Sequence, residues 1–368
     1  MQKNNLLLTG GHAATTAISV IKELQKKYPD YNLYWVGPKS AVEGKYVPTL
    51  ASRVMEKMQV KFISITTGRL QRKFTVWTIP SLLKIPVGIF QAFKIISDIK
   101  PRIVISFGGF ASVPVCFVGW IFRIPVIIHE QTVAAGLANK ITAFFARKVL
   151  IARIDSQEFF TKSKTILVGN PVNAEIVKIE PKLKLSAKPV IYITGGSSGA
   201  QRINSVVGEA LFDLLKNYKI IHQTGKLDYE VFKEKRENFP SDLKKNYEVY
   251  DFIDPNEMPE IFGRADVIVS RAGANTLSEI AITKRPAILI PIPWTAYDEQ
   301  TKNAKLLEKS GIAVILEEKD LNAESLLKNI KNVVKNWDRM VKNSDNSLGD
   351  LDRSAASKFV DEVEELLE

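Results

Sequence analysis

The strongest constraint on this chain is an opening that occurs twice. Residues 5–8 form a short apolar run that passes into Thr9-Gly10-Gly11-His12 and then a helical pattern; residues 190–194 pass into Gly195-Gly196-Ser197-Ser198-Gly199 and another. Strand, glycine turn and helix in that order begin a parallel sheet, and ligands of such sheets bind outside the carboxyl ends of the strands. Further β-branched or leucine-rich runs fall at 33–36, 60–65, 102–106, 126–128, 149–152 and 166–168. A second set falls at 220–223, 248–250, 267–270, 287–290 and 313–316. Helical patterns such as 16–27, 200–215 and 299–309 fit between them, and this alternation predicts parallel sheets covered by helices on both faces.

The 368 residues exceed what one hydrophobic core usually serves. The expected fold is therefore α/β, with two Rossmann-like doubly wound domains facing one another across a cleft. The polar, lysine-rich stretch 179–188 reads as the linker. It separates an N-terminal domain, 1–178, from a C-terminal domain, 189–340, and residues 341–368 read as a polar loop and an acidic amphipathic helix from about Ser354.

One cysteine, Cys116, excludes a disulfide framework and cysteine-based zinc sites. The net charge of +11 is unevenly held: residues 1–178 carry 24 basic and 9 acidic residues, the remainder 27 and 31. Such a field suits anionic lipid headgroups or nucleic acid, but no aromatic-basic platform or recognition motif for nucleic acid is evident. The longest apolar stretch, 113–128, contains Arg123, Pro114 and Pro125 and falls short of the roughly twenty residues that span a bilayer. The run 6–8 is too short for the apolar core of a signal peptide. The expectation is a protein that rests on a surface rather than crossing one.

His12, His129 and His222 each end an expected strand or its turn. His129 and His222 read equally well as buried structural residues. His12, between a glycine pair and a helix start, is the candidate general base, because an imidazole near neutral pKa can take a proton from an attacking hydroxyl. The second glycine turn suits a diphosphate at a helix N-terminus, although neither turn has Walker or dinucleotide spacing. In Ser270-Arg271-Ala272-Gly273-Ala274-Asn275-Thr276-Leu277-Ser278-Glu279 a strand ends and a helix begins near Asn275 or Thr276. Glu279, about one turn in, could accept from both hydroxyls of a ribose; a helix-start glutamate favoured by the dipole is the plainer alternative. Pro291-Ile292-Pro293-Trp294 and the segment from Asp298 to Asn303 bring amides and carboxylates to the same sheet edge, suited to sugar hydroxyls.

Together with Phe107-Gly108-Gly109-Phe110, His129-Glu130-Gln131 and Gly169-Asn170-Pro171-Val172, these motifs occur in an order that resembles the MurG family over about residues 6–330. That family consists of GT-B enzymes that add N-acetylglucosamine to the lipid-linked muramyl-pentapeptide precursor of peptidoglycan. The resemblance implies that the C-terminal domain holds UDP-N-acetylglucosamine. Phe252 and Ile253 would lie beside uracil, Glu279 on ribose, and Gly196, Ser197 and Gly199 on diphosphate. Ala274, Asn275, Thr276, Leu277, Ser278, Glu299 and Gln300 would line the nucleotide-sugar. Thr9, Gly10 and Gly11 would face the donor from the other domain. His12 would be the base, and Gly108, Gly109, His129, Glu130 and Asn139 would shape the site of a polyprenyl-diphosphate acceptor at the cytoplasmic face of the plasma membrane.

No metal or other cofactor is required by the motifs, though Mg2+ could screen the diphosphate. Thr15, Thr132 and Asn173 stand where the family usually has proline, asparagine and arginine, and the last change removes an expected phosphate contact. The rival readings are a GT-B transferase for another glycolipid or small molecule, a UDP-sugar epimerase of the same architecture, and a membrane-docking subunit without turnover. Between 69 and 100, Arg69, Arg72, Lys73, Lys84 and Lys94 are interspersed with Phe74, Trp77, Ile79, Leu82, Leu83, Ile85, Ile89, Phe90 and Phe93. Pro80 and Pro86 are expected to break this stretch into short pieces. Ile89 and Phe93 are expected to face the sheet, and residues 77–85 are a candidate patch for anionic membrane surfaces.

Overall fold

A computed structural model describes residues 4–11, 14–42, 45–68, 78–196 and 199–368. Two compact units divide it: Met1–Pro171 with Ser354–Glu368, and Val172–Arg353. Unit 1 contains β1 (Asn5–Thr9), β2 (Asn32–Gly37), the hairpin β3 (Ser40–Val42) and β4 (Lys45–Pro48), β5 (Lys61–Ser64), β6 (Ile103–Ser106), β7 (Val126–Glu130), β8 (Lys148–Ile151) and β9 (Thr165–Leu167). Unit 2 contains β10 (Val190–Thr194), β11 (Lys219–Gln223), β12 (Tyr247–Tyr250), β13 (Val267–Ser270), β14 (Ala287–Leu289) and β15 (Ala313–Ile315).

The larger sheet runs β5-β2-β1-β6-β7-β8-β9 and the smaller β12-β11-β10-β13-β14-β15, with every neighbour parallel. Setting the hairpin aside, each follows the dinucleotide-fold order 3-2-1-4-5-6, with unit 1 adding one strand. The strand order therefore reverses between β1 and β6, and again between β10 and β13. All four loops leaving those strands carry the glycines singled out in the sequence: Gly10 and Gly11, Gly108 and Gly109, Gly195 to Gly199, and Gly273. Register pairs apolar with apolar, as in Leu6 between Leu33 and Ile103, and Ile191 between Ile220 and Val267. Both faces of each sheet are covered, which is why the central strands read as continuous apolar runs.

Several expectations about the connections differ from the structure. Residues 179–188 lie within unit 2 rather than between units. Asp266 is fully buried and takes Lys182 Nζ at 2.9 Å, Ser186 Oγ at 3.0 Å and the Val190 N–H at 2.8 Å, so the lysine-rich stretch is pinned beneath the sheet. The division falls at Pro171–Val172 instead of after 178. Residues 341–353 are loop only at 344–346: helices Trp337–Asn343 and Ser347–Arg353 take up the rest, and a Cβ on Gly349 would come 2.7 Å from the Ala281 carbonyl. The final helix, Ala355–Leu367, returns to unit 1. Its Phe359, Val360 and Val363 enter that core, and Lys27 pairs with Asp361 and Glu364.

The stretch containing Pro80 and Pro86 forms one helix, Thr78–Ile99. Pro80 falls in the first turn, where no intrahelical donor is required. Pro86 sits on the exposed side between Leu83 and Val87, so water can take the carbonyl it leaves unpaired. Ile89 is half-buried, but Phe93 is 49% exposed and packs its ring on Phe122 at 5.0 Å, contrary to the burial expected for it. Trp77, Phe74, Arg69, Arg72 and Lys73 lie outside the described residues, as do the side chains of Ile79 and Leu82.

Candidate active site

In unit 2, β10 ends at Thr194, whose Oγ1 accepts from the Gly196 N–H at 2.9 Å. The turn then needs two left-handed residues, Gly196 (φ +89) and Gly199 (φ +76). A Cβ at Gly199 would lie 2.1 Å from the Thr224 carbonyl and one at Gly195 2.3 Å from the Ala200 nitrogen, so these glycines serve close packing. Gly196 differs: among the described residues nothing lies within 4 Å of its missing side chain. The turn therefore leaves open space over one backbone unit, beside the uncapped N-terminus of helix Gln201–Asn217. First-turn N–H groups there lack intrahelical partners and favour an anion. Ser197 lies outside the described residues.

The second loop of this edge leaves β13 at Ser270. Gly273 caps helix Ala274–Thr283 without a side chain and also has nothing within 4 Å of its missing Cβ. The helix starts at Ala274, so Glu279 falls beyond the first turn. The plain dipole-favoured glutamate is thereby excluded. Glu279 is buried, and among the described residues no donor reaches its carboxylate. Burial alone pushes its pKa up to about 8. A buried acceptor without a donor is costly unless a ligand supplies one. Ser270 Oγ and Arg271 Nε are fully buried without a partner, while Arg271 Nη1 holds the Ile290 carbonyl and pairs with Glu318.

The remaining donor candidates divide by burial. Ala274, Asn275 and Thr276 are partly open at the helix start. Leu277 and Ser278 are buried, and Ser278 Oγ bonds the Ala274 carbonyl. Ile253 lies in the core, leaving only its backbone to face a ligand, whereas Phe252 is half-buried. Gln300 Oε1 accepts from the Ile292 N–H at 3.0 Å, which leaves its amide NH2 available, and Glu299 is partly exposed beside it. Asn303 Nδ2 donates to the Ala272 carbonyl and ties the two loops together. Gln223, not singled out in the sequence, links Tyr192 OH to the Gly196 carbonyl. Its place at the end of β11 was the available signal.

In unit 1 the two glycine turns touch backbone to backbone. The Gly11 N–H donates to the Gly108 carbonyl at 2.9 Å, and a Cβ on Gly109 (φ +86) would lie 2.9 Å from Gly11. Thr9 Oγ1, at the end of β1, is buried without a partner. His12 lies outside the described residues. His129 is fully buried between Phe107 and Phe359, with Nε2 on the Gly169 carbonyl at 3.0 Å, so its side chain supports the loop instead of contacting an acceptor.

Glu130 also turns inward. It accepts from the Thr132 N–H and Oγ1, the Gly136 N–H and Asn139 Nδ2 at 2.8–3.1 Å, forming a cradle for the loop after β7. Burial raises its pKa, and these donors oppose the rise. Neither His129 nor Glu130 is free to bind a ligand, contrary to expectation. Asn139 bridges this cradle to the His129 carbonyl, and its Oδ1, which has no partner, faces Gly108.

His222 is buried between Tyr247 OH and Asn204, and burial lowers its pKa to about 3. Thr132 donates its N–H and Oγ1 to Glu130. Asn173 caps helix Ala174–Val177 and donates to the Pro255 carbonyl, a structural task rather than a phosphate contact.

Residues 9–151 match the model of the glycosyltransferase family 28 N-terminal domain, and residues 190–365 that of its C-terminal domain. A UDP-N-acetylglucosamine--N-acetylmuramyl-(pentapeptide) pyrophosphoryl-undecaprenol N-acetylglucosamine transferase of Clostridium novyi is 34% identical, over 90% of this chain and 90% of its own. A Bacillus cereus transferase of the same description is 33% identical, over 89% and 90%. The crystal structure of Acinetobacter baumannii MurG superposes with a TM-score of 0.71 at 24% identity, covering 98% of this chain and 99% of that one; it speaks for the fold.

Proposed function

Because the chain belongs to the MurG family of family 28 glycosyltransferases, we propose that it transfers N-acetylglucosamine from UDP-N-acetylglucosamine to a polyprenyl-diphosphate-linked muramyl pentapeptide. The observation that carries this reading is the switch point of unit 2, where open backbone over Gly196 and Gly273 accompanies the buried, donor-less carboxylate of Glu279. A diphosphate fits the first feature and a ribose diol the second. The acceptor hydroxyl attacks the anomeric carbon, and its proton passes to His12. The bond from that carbon to the diphosphate oxygen breaks with inversion, and UDP leaves against the helix N-termini at Gln201 and Ala274. Titration calorimetry with UDP, UMP and ADP tests the donor half: UDP should bind most tightly, and equal affinity for ADP would reject a uridine-specific site.

Peripheral attachment to the cytoplasmic membrane face belongs to the same proposal. Among the described residues no helix is long and apolar enough to cross a membrane. Helix Thr78–Ile99 exposes Leu83 (70%), Val87 and Phe90 (74%), in the half of the chain that carries the basic excess. Each basic residue near an anionic surface contributes about 1 kcal/mol, screened by salt. Sedimentation is expected to carry the protein down with phosphatidylglycerol vesicles far more than with phosphatidylcholine, less so at high salt or in the double variant Arg72→Glu, Lys73→Glu. Equal partitioning into both lipids would assign the charge asymmetry elsewhere.

A further inference from the structure

Unit 1 holds an apolar cavity of about 270 Å³ that the reaction described above does not use. Three helices each supply a pair of side chains one turn apart: Ile85 and Ile89 from Thr78–Ile99, Val113 and Phe117 from Ser112–Ile121, and Ile141 and Phe145 from Leu137–Phe145. Phe110, which directly follows Gly108-Gly109, also lines it, with Thr67, Gly68, Gly88 and Pro114. The cavity thus begins one residue from a turn expected to shape the site of the polyprenyl-diphosphate acceptor. The group joined to that diphosphate is the first isoprene of the lipid chain.

Size and chemistry agree with such an occupant. An apolar cavity of about 150 Å³ takes the six carbons of benzene, so this one has room for roughly ten carbons, or two isoprene units. Its wall offers almost no polar group, so a headgroup or sugar there would lose its hydrogen bonds. On its solvent side the same helix exposes Leu83, Val87 and Phe90.

We propose that this cavity binds the first isoprene units of the acceptor's polyprenyl chain, so that the enzyme holds its substrate by lipid as well as by diphosphate and sugar. This rests on the acceptor reading given above. The test is titration of the full chain with farnesyl diphosphate, below its micelle concentration, and with inorganic pyrophosphate. Farnesyl diphosphate should bind the wild type at least tenfold more tightly. Val113→Phe and Ile141→Trp, which fill the cavity, should remove about tenfold of that advantage while leaving pyrophosphate and UDP affinity unchanged.

Farnesyl diphosphate binding no tighter than pyrophosphate, or undiminished in filled variants that still bind UDP, overturns the proposal. A photoreactive farnesyl diphosphate on wild-type protein makes the test independent of the variants' folding. Crosslinks within 85–89, 110–121 or 137–145 support the cavity, and crosslinks confined elsewhere refute it. Sugar transfer to a short-chain acceptor, followed in parallel, separates the two readings. Its absence alongside cavity-dependent prenyl binding rejects only the transferase reading; its presence without such binding rejects only the cavity.

Discussion

Replacing His12 by alanine is expected to lower turnover by about a hundredfold or more while leaving UDP affinity nearly unchanged, since a positioned general base contributes on that scale. The other two histidines are enclosed. His222 is buried with a pKa lowered to about 3, so it stays neutral and enclosed throughout the working range. His129 is held by Gly169 and two aromatic rings. Glu130 spends its carboxylate on four loop donors, and burial pushes the Cys116 thiol up to about 12. Within unit 1, His12 follows directly the turn in which Gly11 docks on Gly108. Steady-state kinetics with both substrates saturating, together with UDP calorimetry, decide the matter. Turnover close to wild type would make His12 structural and move the base elsewhere.

Glu279→Ala is expected to weaken UDP binding by roughly 1.5–3 kcal/mol, the worth of charge-assisted hydrogen bonds to a buried acceptor. A proton signature accompanies that loss. With a pKa near 8 in the free protein against an ordinary 4.5, Glu279 is mostly protonated at pH 7. Two ribose hydroxyls donating to it favour the carboxylate, so UDP binding must expel the proton. Wild type should therefore release nearly one proton more than Glu279→Gln at pH 7, read from calorimetry in buffers of different ionisation enthalpy. The excess should vanish above about pH 9, where the free carboxyl is already ionised. The same shift has a stability consequence of definite sign. The folded state holds this proton more tightly than the unfolded state, so unit 2 loses stability as pH rises from about 4.5 to 8, by up to a few kcal/mol, and UDP should offset the loss. Identical proton release in wild type and Glu279→Gln would remove Glu279 from the ribose site.

The sheets were legible because parallel strands buried on both faces leave unbroken apolar runs, and runs such as 190–194 and 267–270 coincide with β10 and β13. The glycine turns were legible because left-handed or tightly packed backbone, as at Gly196 and Gly199, excludes most side chains. Side-chain direction was not. Nothing local distinguishes a histidine aimed at a ligand from His129 aimed at Gly169, nor a loop-binding carboxylate such as Glu130 from a substrate-binding one.

Long-range partners were equally hidden. The lysine-rich stretch read as a linker because Asp266, its buried anchor, lies 84 residues from Lys182. The last helix gave no sign that it would return to unit 1 and stack Phe359 on Phe107. Pro86 read as a breaker because sequence alone does not reveal that its helix position faces water.

The central claim is that this chain transfers a sugar from a uridine nucleotide to a lipid-linked muramyl peptide. Purified protein incubated with radiolabelled UDP-N-acetylglucosamine and the polyprenyl-diphosphate muramyl pentapeptide tests it most directly, with label followed into the lipid-extractable fraction and UDP measured alongside. The account predicts one labelled lipid product formed in step with UDP, absent without acceptor, and strongly reduced by His12→Ala. Folded, UDP-binding protein that forms no labelled lipid, or that interconverts the UDP-sugar without consuming acceptor, would contradict it.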